Sequence, residues 1–302
     1  MSLIPRKSLF EILCDNLKDA RNAYNVTIPW YIMTSPENHG ETISFFEKKN
    51  FFDYPKEKIH FFTQEKLPII DTEGKVILER KDLIKEAANG NGDVFRALSE
   101  SGMLENMMEN GIKWVSAGGI DNILLKLVDP IFIGLTVESG YQIASKSAFK
   151  ELTDDPISVF CKKNGKPSIL EYTHISHTMS ELKDKNGNYL YRDVNILAHL
   201  FSIDALERLK DVYLPYHRVF KKNAFINYEG VKEVPLNRNS FKFEKFIFDA
   251  FSYFDDMLLM RVNEDEEFAP IKDFIGIYSP ETAKEKYVRY WVEHGKEIKY
   301  EE

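Results

Sequence analysis

Cysteine is scarce in this chain of 302 residues, which contains two, Cys14 and Cys161. Two cysteines cannot form the disulfide framework of a small secreted domain, and neither belongs to a Cys-x-x-Cys pair of the kind that binds zinc. The sequence therefore excludes a fold that depends on several disulfides or on a cysteine-bound metal. It favours a reducing compartment, and we expect a cytoplasmic location.

Long apolar runs and an excess of basic residues are also absent. No stretch approaches the roughly 18 apolar residues that a membrane-spanning helix requires. The first residues, MSLIPRKSLFEIL, lack the apolar core of a signal peptide. The net charge of −8 disfavours nonspecific binding to nucleic acid or to a membrane surface, since both need a basic face. We therefore expect a partner that is neither a nucleic acid nor a membrane.

The apolar residues predict strands that alternate with helices as far as residue 140. Residues 8–24 have the apolar spacing of a helix with Ser8 as its N-cap, and residues 28–35 and 58–64 are short apolar runs typical of buried strands. Such alternation is typical of an α/β protein with a mostly parallel sheet flanked by helices.

The remaining pattern predicts further elements and no internal boundary. These elements are a helix at about 93–110, a strand at 113–127, a hairpin around Asn-Gly at 157–176, an amphipathic helix at 241–254, a strand at 257–262 and a terminal helix at 279–297. No repeat or linker separates them. We interpret residues 1–276 as one domain and residues 277–302 as an appended helix.

Polar residues at the ends of predicted strands are candidates for a site, because ligands of doubly wound sheets collect there. Gln64 ends one strand, and its side chain offers one acceptor and two donors, which suits the edge of a flat base. The Asn-Gly-Asn-Gly loop at 89–92 allows a base or ribose to lie against bare backbone. Asp121, in the sequence GGIDN, can hold a divalent cation that neutralises phosphates.

Each candidate also has a purely structural interpretation. The Asn-Gly-Asn-Gly stretch matches an ordinary loop, and an aspartate before asparagine matches a helix N-cap. Lys272, in FAPIK, fits both a pocket and the surface, while His199, in ILAHLF, is interpreted as a hydrogen-bonded core histidine. No local context suggests a Ser-His-Asp triad or a Cys-His pair.

Eight sequence blocks carry a family resemblance through their wording and their order. They are PRKSLFEI (5–12), IPWYIMTS (28–35), FFTQEKLP (61–68), GNGDVFRAL (90–98), IDNILLKLVDPIFIG (120–134), ILEYTHIS (169–176), FEKFIFDAF (243–251) and EEFAPIK (266–272). The chain resembles the eukaryotic-type UDP-N-acetylglucosamine pyrophosphorylases and, more broadly, the UDP-sugar pyrophosphorylases. The resemblance implies a Rossmann-like fold of the nucleotide-diphospho-sugar transferase type.

The resemblance also implies a reaction and residues that perform it. The family joins UTP and a sugar 1-phosphate, such as N-acetylglucosamine 1-phosphate, into a UDP-sugar and pyrophosphate with Mg²⁺ or Mn²⁺. The implied uridine contacts are Gln64, Gly90 and Asn91, the implied sugar contacts are Glu171, Asn195 and Ser158, and the implied catalytic residues are Lys272 and Asp121, with Asp121 also the metal ligand. Catalysis then consists mainly of positioning and charge neutralisation.

The chain departs from the family pattern at several positions. The family's glycine-rich phosphate loop precedes the RKSLF block, so the resemblance implies that this chain lacks that loop and the first strand of the sheet. Ala88 and Asp93 replace a proline and a glycine of the uridine loop, and a carboxylate there would repel phosphates. Ser158 and Val194 replace glycines beside the sugar, which predicts a smaller sugar pocket.

These departures leave two alternatives to a uridylyltransferase open. One is a non-catalytic homologue that binds a UDP-sugar or regulates an intact relative, and the other is a truncated fragment. The expected small-molecule partners are UTP or a UDP-sugar and a sugar 1-phosphate. An open sheet edge would also favour association with an intact homologue or with an upstream fragment.

Overall fold

The computed structural model describes residues 2–4, 7–149, 158–171 and 175–295, and it shows a mixed α/β fold. In chain order the strands are β1 (Ser2–Ile4), β2 (Lys7–Ser8), β3 (Trp30–Thr34), β4 (Ile59–Thr63), β5 (Lys66–Pro68), β6 (Ile70–Asp71), β7 (Leu78–Arg80), β8 (Leu83–Ile84), β9 (Glu86–Ala88), β10 (Trp114–Gly118), β11 (Ile143–Phe149), β12 (Val159–Lys163), β13 (Lys166–Leu170), β14 (Asp193–Ser202), β15 (His217–Lys221), β16 (Phe225–Ile226), β17 (Lys232–Glu233), β18 (Ser240–Glu244) and β19 (Leu258–Val262).

The helices fall between these strands. They are α1 (Leu9–Tyr24), α2 (His39–Lys48), α3 (Val94–Glu100), α4 (Met103–Glu109), α5 (Pro130–Ser139), α6 (His177–Ser180), α7 (Ile203–Leu209), α8 (Glu264–Glu267) and α9 (Pro280–Glu293), with 3₁₀ turns at Asn50–Asp53, Lys56–Lys58, Asn91–Asp93 and Ile247–Tyr253. Within the described part of the chain, no helix combines the length and the apolar character needed to cross a membrane.

The chain divides into two compact units. The first unit comprises Met1–Ile28, Ile112–Ala205 and Phe251–Glu302, and the second comprises Pro29–Gly111 and Leu206–Ala250. Helix α9 lies in the first unit. The boundary predicted near residue 276 stays a prediction.

The first unit is built on a six-stranded sheet in which strands β13, β12, β14, β11 and β19 are successive neighbours and β10 also pairs with β14. Strand β14 runs antiparallel to β10, β11 and β12, and among the described pairings of this sheet the β11–β19 pair is parallel. The predicted mostly parallel sheet is therefore wrong. The reason is strand β14, which has ten residues, is long enough to pair with three neighbours and runs antiparallel to each of them.

Several elements of the first unit begin or turn where a capping residue or a turn sequence predicted. Ser8 and Glu11 form a capping box at the start of α1. Asn164 and Gly165 both have positive φ, 53° and 79°, which is the turn that a two-residue hairpin prefers, and they join β12 to β13. The strand predicted at 113–127 ends early, at Gly118, where the chain turns away from the sheet.

Helices α1 and α9 contribute to an apolar cluster of the first unit. The buried members are Ile123, Leu124, Ala269 and Ala283, and Leu9, Ile271, Tyr287 and Tyr290 pack against them. A second cluster covers one face of the sheet through Phe132, Ala144 and Leu200. The first cluster holds the segments around residues 123 and 269 in place.

The second unit contains smaller sheets. Strands β3 and β4 pair in parallel, as the two buried runs at 28–35 and 58–64 predicted. Strands β15, β18 and β6 form one antiparallel sheet, β17, β16, β7 and β8 form another, and β5 pairs with β9.

Two helix predictions in the second unit need correction. The helix at 93–110 is broken into α3 and α4 at Gly102, whose φ of +74° is a left-handed value. The predicted helix at 241–254 is strand β18 followed by a 3₁₀ turn. The Phe-Lys-Phe-Glu alternation has the period of a strand, and all five residues of β18 pair with β15.

Candidate functional site

The Asn-Gly-Asn-Gly loop at 89–92 packs against the backbone of residues 245 and 246 in the same unit. Gly90 has a φ of +93°, and a Cβ there would overlap the carbonyl oxygen of Lys245. A Cβ on Gly92 would lie 2.7 Å from the backbone of Phe246. Backbone hydrogen bonds from Gly92 N to Lys245 O, at 2.9 Å, and from Lys245 N to Asn89 O, at 2.7 Å, close the contact. Both glycines are therefore required by packing inside this unit.

The other two predicted uridine contacts hold the same loop. The Gln64 side-chain oxygen Oε1 accepts a hydrogen bond from the N–H of Gly90 at 2.9 Å. The Asn91 oxygen Oδ1 accepts one from the N–H of Ile247 at 3.0 Å. The structure thus brings Gln64, Gly90 and Asn91 together, and it commits the acceptor atom of Gln64 to the loop.

Asp93 is buried beneath this loop with four hydrogen bonds. Its oxygen Oδ1 accepts from Asn89 Nδ2 at 2.9 Å and from Arg96 Nε at 3.0 Å. Oxygen Oδ2 accepts from the Glu65 N–H at 2.8 Å and from Arg96 Nη2 at 2.7 Å. The hydrogen bond to Asp93 raises the pKa of Arg96 above its ordinary value. Arg96 offsets the charge of Asp93 in the interior, and Glu65 and Glu100 share the same guanidinium. The expectation that the Asp93 carboxylate repels phosphates stays a prediction.

In the first unit, the three predicted sugar contacts line up across neighbouring strands. Val159 pairs with Leu170 on one side and with Val194 on the other, so the adjoining residues Glu171, Ser158 and Asn195 form the next row. The Asn195 N–H donates to the Ser158 carbonyl oxygen at 2.9 Å, which confirms the register. Cross-strand neighbours share a face of a sheet.

Val194 does not line that row. It is 3% exposed and pairs with both Val159 and Ala148, which places it in the core. The prediction that Val194 narrows the sugar pocket is therefore wrong. Adjacent residues of a strand point to opposite faces, so Asn195 lies on the other side of the sheet from Val194.

Strand β14 bulges directly beyond Asn195. The register with β11 shifts between Ser145 and Ser147, and Leu197 adopts a φ of +53°, which is rare for leucine. The Asn195 oxygen Oδ1 accepts a hydrogen bond from the Leu197 N–H at 3.0 Å and so supports this conformation. A Cβ on Gly119 would lie 2.8 Å from a Leu197 methyl group, so the Leu197 side chain lies against Gly119.

Asp121 and Lys272 lie on two segments that are hydrogen-bonded to each other. The Ile271 N–H donates to the Asp121 carbonyl oxygen at 3.0 Å. Burial raises the pKa of the Asp121 carboxyl, while the nearby Lys272 charge acts in the opposite direction. The Lys272 ammonium lies 5.6 Å from the centre of the Tyr278 ring. The geometry therefore brings the Asp121 carboxylate within electrostatic reach of the Lys272 cation. The helix-cap interpretation of Asp121 is wrong, because no described helix begins between residue 121 and Pro130.

A buried lysine, which the sequence did not single out, supports these segments. Lys146 is 1% exposed, and its ammonium donates to Asp129 Oδ2 and to Glu267 Oε2, each at 2.5 Å. Lys126 also lies 3.3 Å from Glu267. Although burial alone would raise it, the hydrogen bond and charge of Lys146 hold the pKa of Asp129 below its ordinary value. A lysine in the strand ASKSA carries no local sign that its partners lie far along the chain.

His199 is the core histidine that its apolar context predicted. It is 1% exposed, and its Nδ1 lies 2.7 Å from the Ser145 hydroxyl. Its ring meets Phe251 edge-on with centroids 5.1 Å apart. Burial lowers the pKa of His199 to about 3, so the ring is neutral at physiological pH.

The described residues contain no group of three or more His, Cys, Asp or Glu side chains that could hold a metal by themselves. Asp121 is thus a single carboxylate. This donor set fits Mg²⁺, which is commonly bound through one or two carboxylates together with the phosphates of a substrate.

Comparison with known proteins gives the family. The profile of the UTP–glucose-1-phosphate uridylyltransferase family matches residues 1–278. The chain belongs to this family. It is 34% identical over 308 residues to the UDP-N-acetylglucosamine pyrophosphorylase of Saccharomyces cerevisiae, covering 97% of this chain and 65% of that protein.

Two further relatives agree. The UDP-N-acetylhexosamine pyrophosphorylase-like protein 1 of Mus musculus is 35% identical over 282 residues, which are 90% of this chain and 56% of that protein. The crystal structure of the uridine diphosphate N-acetylglucosamine pyrophosphorylase of Trypanosoma brucei, in complex with an inhibitor, superimposes with a TM-score of 0.79 at 30% identity, over 93% of this chain and 58% of that one. The chain therefore spans between about half and two thirds of the length of these relatives.

Proposed function

We propose that this uridylyltransferase-family chain transfers a uridylyl group from UTP to a sugar 1-phosphate and releases pyrophosphate. The observation that carries the proposal is the backbone hydrogen bond from Ile271 to Asp121, which brings the Asp121 carboxylate close enough to feel the Lys272 charge. In phosphoryl transfer, such groups supply most of the catalysis by neutralising charge and fixing geometry.

In this proposal the loop of the second unit binds the uridine. Gln64 Oε1 is used by the Gly90 N–H, so the Gln64 amide N–H groups are the atoms that serve a base. They donate to a carbonyl oxygen of uracil, which is an acceptor. Gly90 and Asn91 present backbone to the base, and the hydrogen bond from Ile247 to Asn91 keeps that backbone fixed.

The phosphates bind near Asp121 and Lys272. Asp121 would hold Mg²⁺ or Mn²⁺, which supplies positive charge against the phosphate oxygens when bound. Lys272 places its ammonium on the same phosphates and neutralises the charge that develops on the leaving pyrophosphate. Burial around the Asp121 carboxyl strengthens the interaction of Asp121 with the metal, because water screens it less.

The sugar 1-phosphate binds along the row formed by Glu171, Ser158 and Asn195. Asn195 Oδ1 is used by the Leu197 N–H, so its amide donors face sugar oxygens or an acetamido carbonyl. Glu171 accepts hydrogen bonds from sugar hydroxyls. These hydrogen bonds fix the orientation of the sugar 1-phosphate, so that its phosphate oxygen attacks in line with the leaving pyrophosphate.

The test is pyrophosphate release by the purified chain with UTP, Mg²⁺ and either N-acetylglucosamine 1-phosphate or glucose 1-phosphate. We expect release that Lys272→Ala and Asp121→Asn lower by on the order of 100-fold or more, since each removes charge stabilisation of the transition state. Lys162→Ala is the matched control, because Lys162 is an exposed lysine of the same unit that pairs with Asp256, and it should retain full activity.

Calorimetry with a UDP-sugar separates the alternatives when no pyrophosphate is released. Binding that Gln64→Ala abolishes, without turnover, would replace the proposal with a UDP-sugar-binding homologue. If the chain neither binds the UDP-sugar nor releases pyrophosphate, the truncated-fragment alternative replaces the proposal. Each outcome overturns the uridylyltransferase proposal for this chain.

A further inference from the structure

Asn122 follows Asp121 directly, yet its side chain turns into the protein. We infer that Asn122 is a positioning residue, which sets Asp121 against Lys272 by tying the loop of the aspartate to the segment that ends at the lysine. The catalytic consequence rests on the proposed function. The positioning itself does not depend on it.

The side chain of Asn122 is 2% exposed and spans the two segments. Its amide nitrogen Nδ2 donates to the Glu267 carbonyl oxygen at 2.8 Å, and its oxygen Oδ1 accepts from the Ala269 N–H at 2.9 Å. Oδ1 also accepts from the Leu124 N–H at 3.2 Å, within its own loop. The buried Asn122 amide thus donates to Glu267 and accepts from Ala269 on the other segment, and its oxygen also stabilises the turn that contains Leu124.

Backbone hydrogen bonds flank this side chain on both sides. The Ile123 N–H donates to the Ala269 carbonyl oxygen at 3.3 Å, and the Ile271 N–H donates to the Asp121 carbonyl oxygen at 3.0 Å. Asn122 and Pro270 form an antiparallel bridge between them. Asn122 and Pro270 are the non-hydrogen-bonded pair of this bridge, so the missing N–H of Pro270 costs neither flanking bond, and the Asn122 side chain adds its own bonds to Glu267 and Ala269.

The far segment is itself anchored in the core of the first unit. The Glu267 carboxylate is held by Lys146 of strand β11 and by Lys126. Lys272, in contrast, is exposed, and residues 273–277 after it are exposed as well. The backbone of Lys272 is held on one side by the segment of Glu267 that Asn122 contacts, and on the other by the hydrogen bond from its N–H to the Tyr278 carbonyl oxygen at 2.8 Å.

Asp121 is aimed by the same arrangement. The buried Asn122 side chain and the backbone hydrogen bond from Ile271 to the Asp121 carbonyl oxygen fix the backbone of residue 121. The Asp121 carboxyl lies against Gly119, because a Cβ on Gly119 would overlap its oxygen Oδ1. Loss of the Asn122 anchor frees both the carboxylate and the lysine, and a displacement of about 1 Å between reacting groups can cost on the order of 100-fold in rate.

The test compares Asn122→Ala, which loses all three side-chain hydrogen bonds, with Asn122→Asp, which keeps the acceptor bonds and loses the donor. Asn263→Ala is the matched control, because Asn263 caps helix α8 on the same stretch of chain and contacts neither catalytic residue. A zero-length carbodiimide couples a carboxylate to an adjacent amine, and mass spectrometry of the digested protein measures the Asp121–Lys272 product. This readout needs no activity.

We expect the coupled product in the parent chain and in Asn263→Ala, a roughly tenfold lower yield in Asn122→Ala and an intermediate yield in Asn122→Asp. Where pyrophosphate is released, kcat should fall by on the order of 100-fold in Asn122→Ala with the KM for UTP little changed. A folded Asn122→Ala with the parent's coupling yield would overturn the inference. So would a parent chain that gives no product, whether or not the variants fold. A parent that couples but releases no pyrophosphate would count against the proposed function alone.

Discussion

The guanidinium of Arg96 holds the buried carboxylate of Asp93 by both oxygens, with Nε 3.0 Å from Oδ1 and Nη2 2.7 Å from Oδ2. This fork is the geometry that makes an arginine–carboxylate pair strong and specific. The pair lies directly beneath the loop of Gly90 and Asn91. An acidic residue that departs from the family pattern is thus a structural support of the candidate uridine platform.

Restoring the glycine of the family at position 93 should destabilise the second unit. Asp93→Gly leaves Arg96, the Asn89 amide and the Glu65 N–H without their common acceptor. We expect the free energy of unfolding to fall by about 3 kcal/mol, the scale for removing one partner of a buried ion pair. Urea denaturation measures it. Asp82→Asn breaks the exposed Arg80–Asp82 pair of the same unit and should change it by less than about 1 kcal/mol.

The two loop glycines should not tolerate a methyl group. Gly92→Ala forces a Cβ against the Phe246 backbone, and backbone cannot rotate away. We expect a loss of about 3 kcal/mol in the free energy of unfolding, with a larger loss for Gly90→Ala, whose φ of +93° adds strain. Gly74→Ala is the control, since it has open space and a φ of +84°. An equal loss in Gly90→Ala and Gly74→Ala would show that conformation, rather than close approach, requires glycine at position 90.

Removing the buried lysine of the first unit should take an ion-pair partner from Asp129 and from Glu267 and leave Glu267 with Lys126. Lys146→Met keeps the length of the side chain and removes the charge that faces Asp129 and Glu267. We expect the free energy of unfolding to drop by about 3 to 5 kcal/mol. Lys162→Met, at an exposed lysine paired with Asp256, should cost less than about 1 kcal/mol. Thermal or urea unfolding of both variants checks the difference.

Mildly acidic pH should lower the free energy of unfolding, because His199 is protonated in the unfolded chain and neutral in the folded one. Its pKa is about 3 in the folded state, against about 6.5 in an unfolded chain. Below pH 6.5 the unfolded chain binds a proton that the folded chain does not, so stability is complete above that pH. It falls by about 1.4 kcal/mol per pH unit as the pH drops toward the folded pKa.

Urea unfolding at pH 6.5 and at pH 5 measures this loss before most carboxylates titrate. His199→Gln should remove that component of the pH dependence, whereas His294→Gln, at an exposed histidine of the same unit, should retain it. An unchanged pH dependence in His199→Gln would show that other groups cause it.

Local elements were predicted from the sequence because their determinants lie within a few residues. The capping box of Ser8 and Glu11 and the Asn164-Gly165 turn each act over one to three residues. Gln64 and the Asn-Gly-Asn-Gly loop were candidates from their positions at the ends of predicted strands, whereas the sugar row was found through the family resemblance, and the structure brings each group together. Which sugar is used, the cytoplasmic location and association with a homologue stay predictions.

The sequence by itself determined the start of helix α1, the hairpin at Asn164-Gly165 and the family to which the chain belongs, because capping, turn chemistry and motif wording are local properties. The tertiary structure alone decided the direction of the sheet, the purpose of Gly90 and Gly92, the pairing of Asp93 with Arg96 and the anchoring of Glu267 by Lys146. Each of these depends on a group brought close by folding, such as the long strand β14, the Lys245 backbone or a buried cation. Charge and packing act through space, and spacing along the chain does not reveal them.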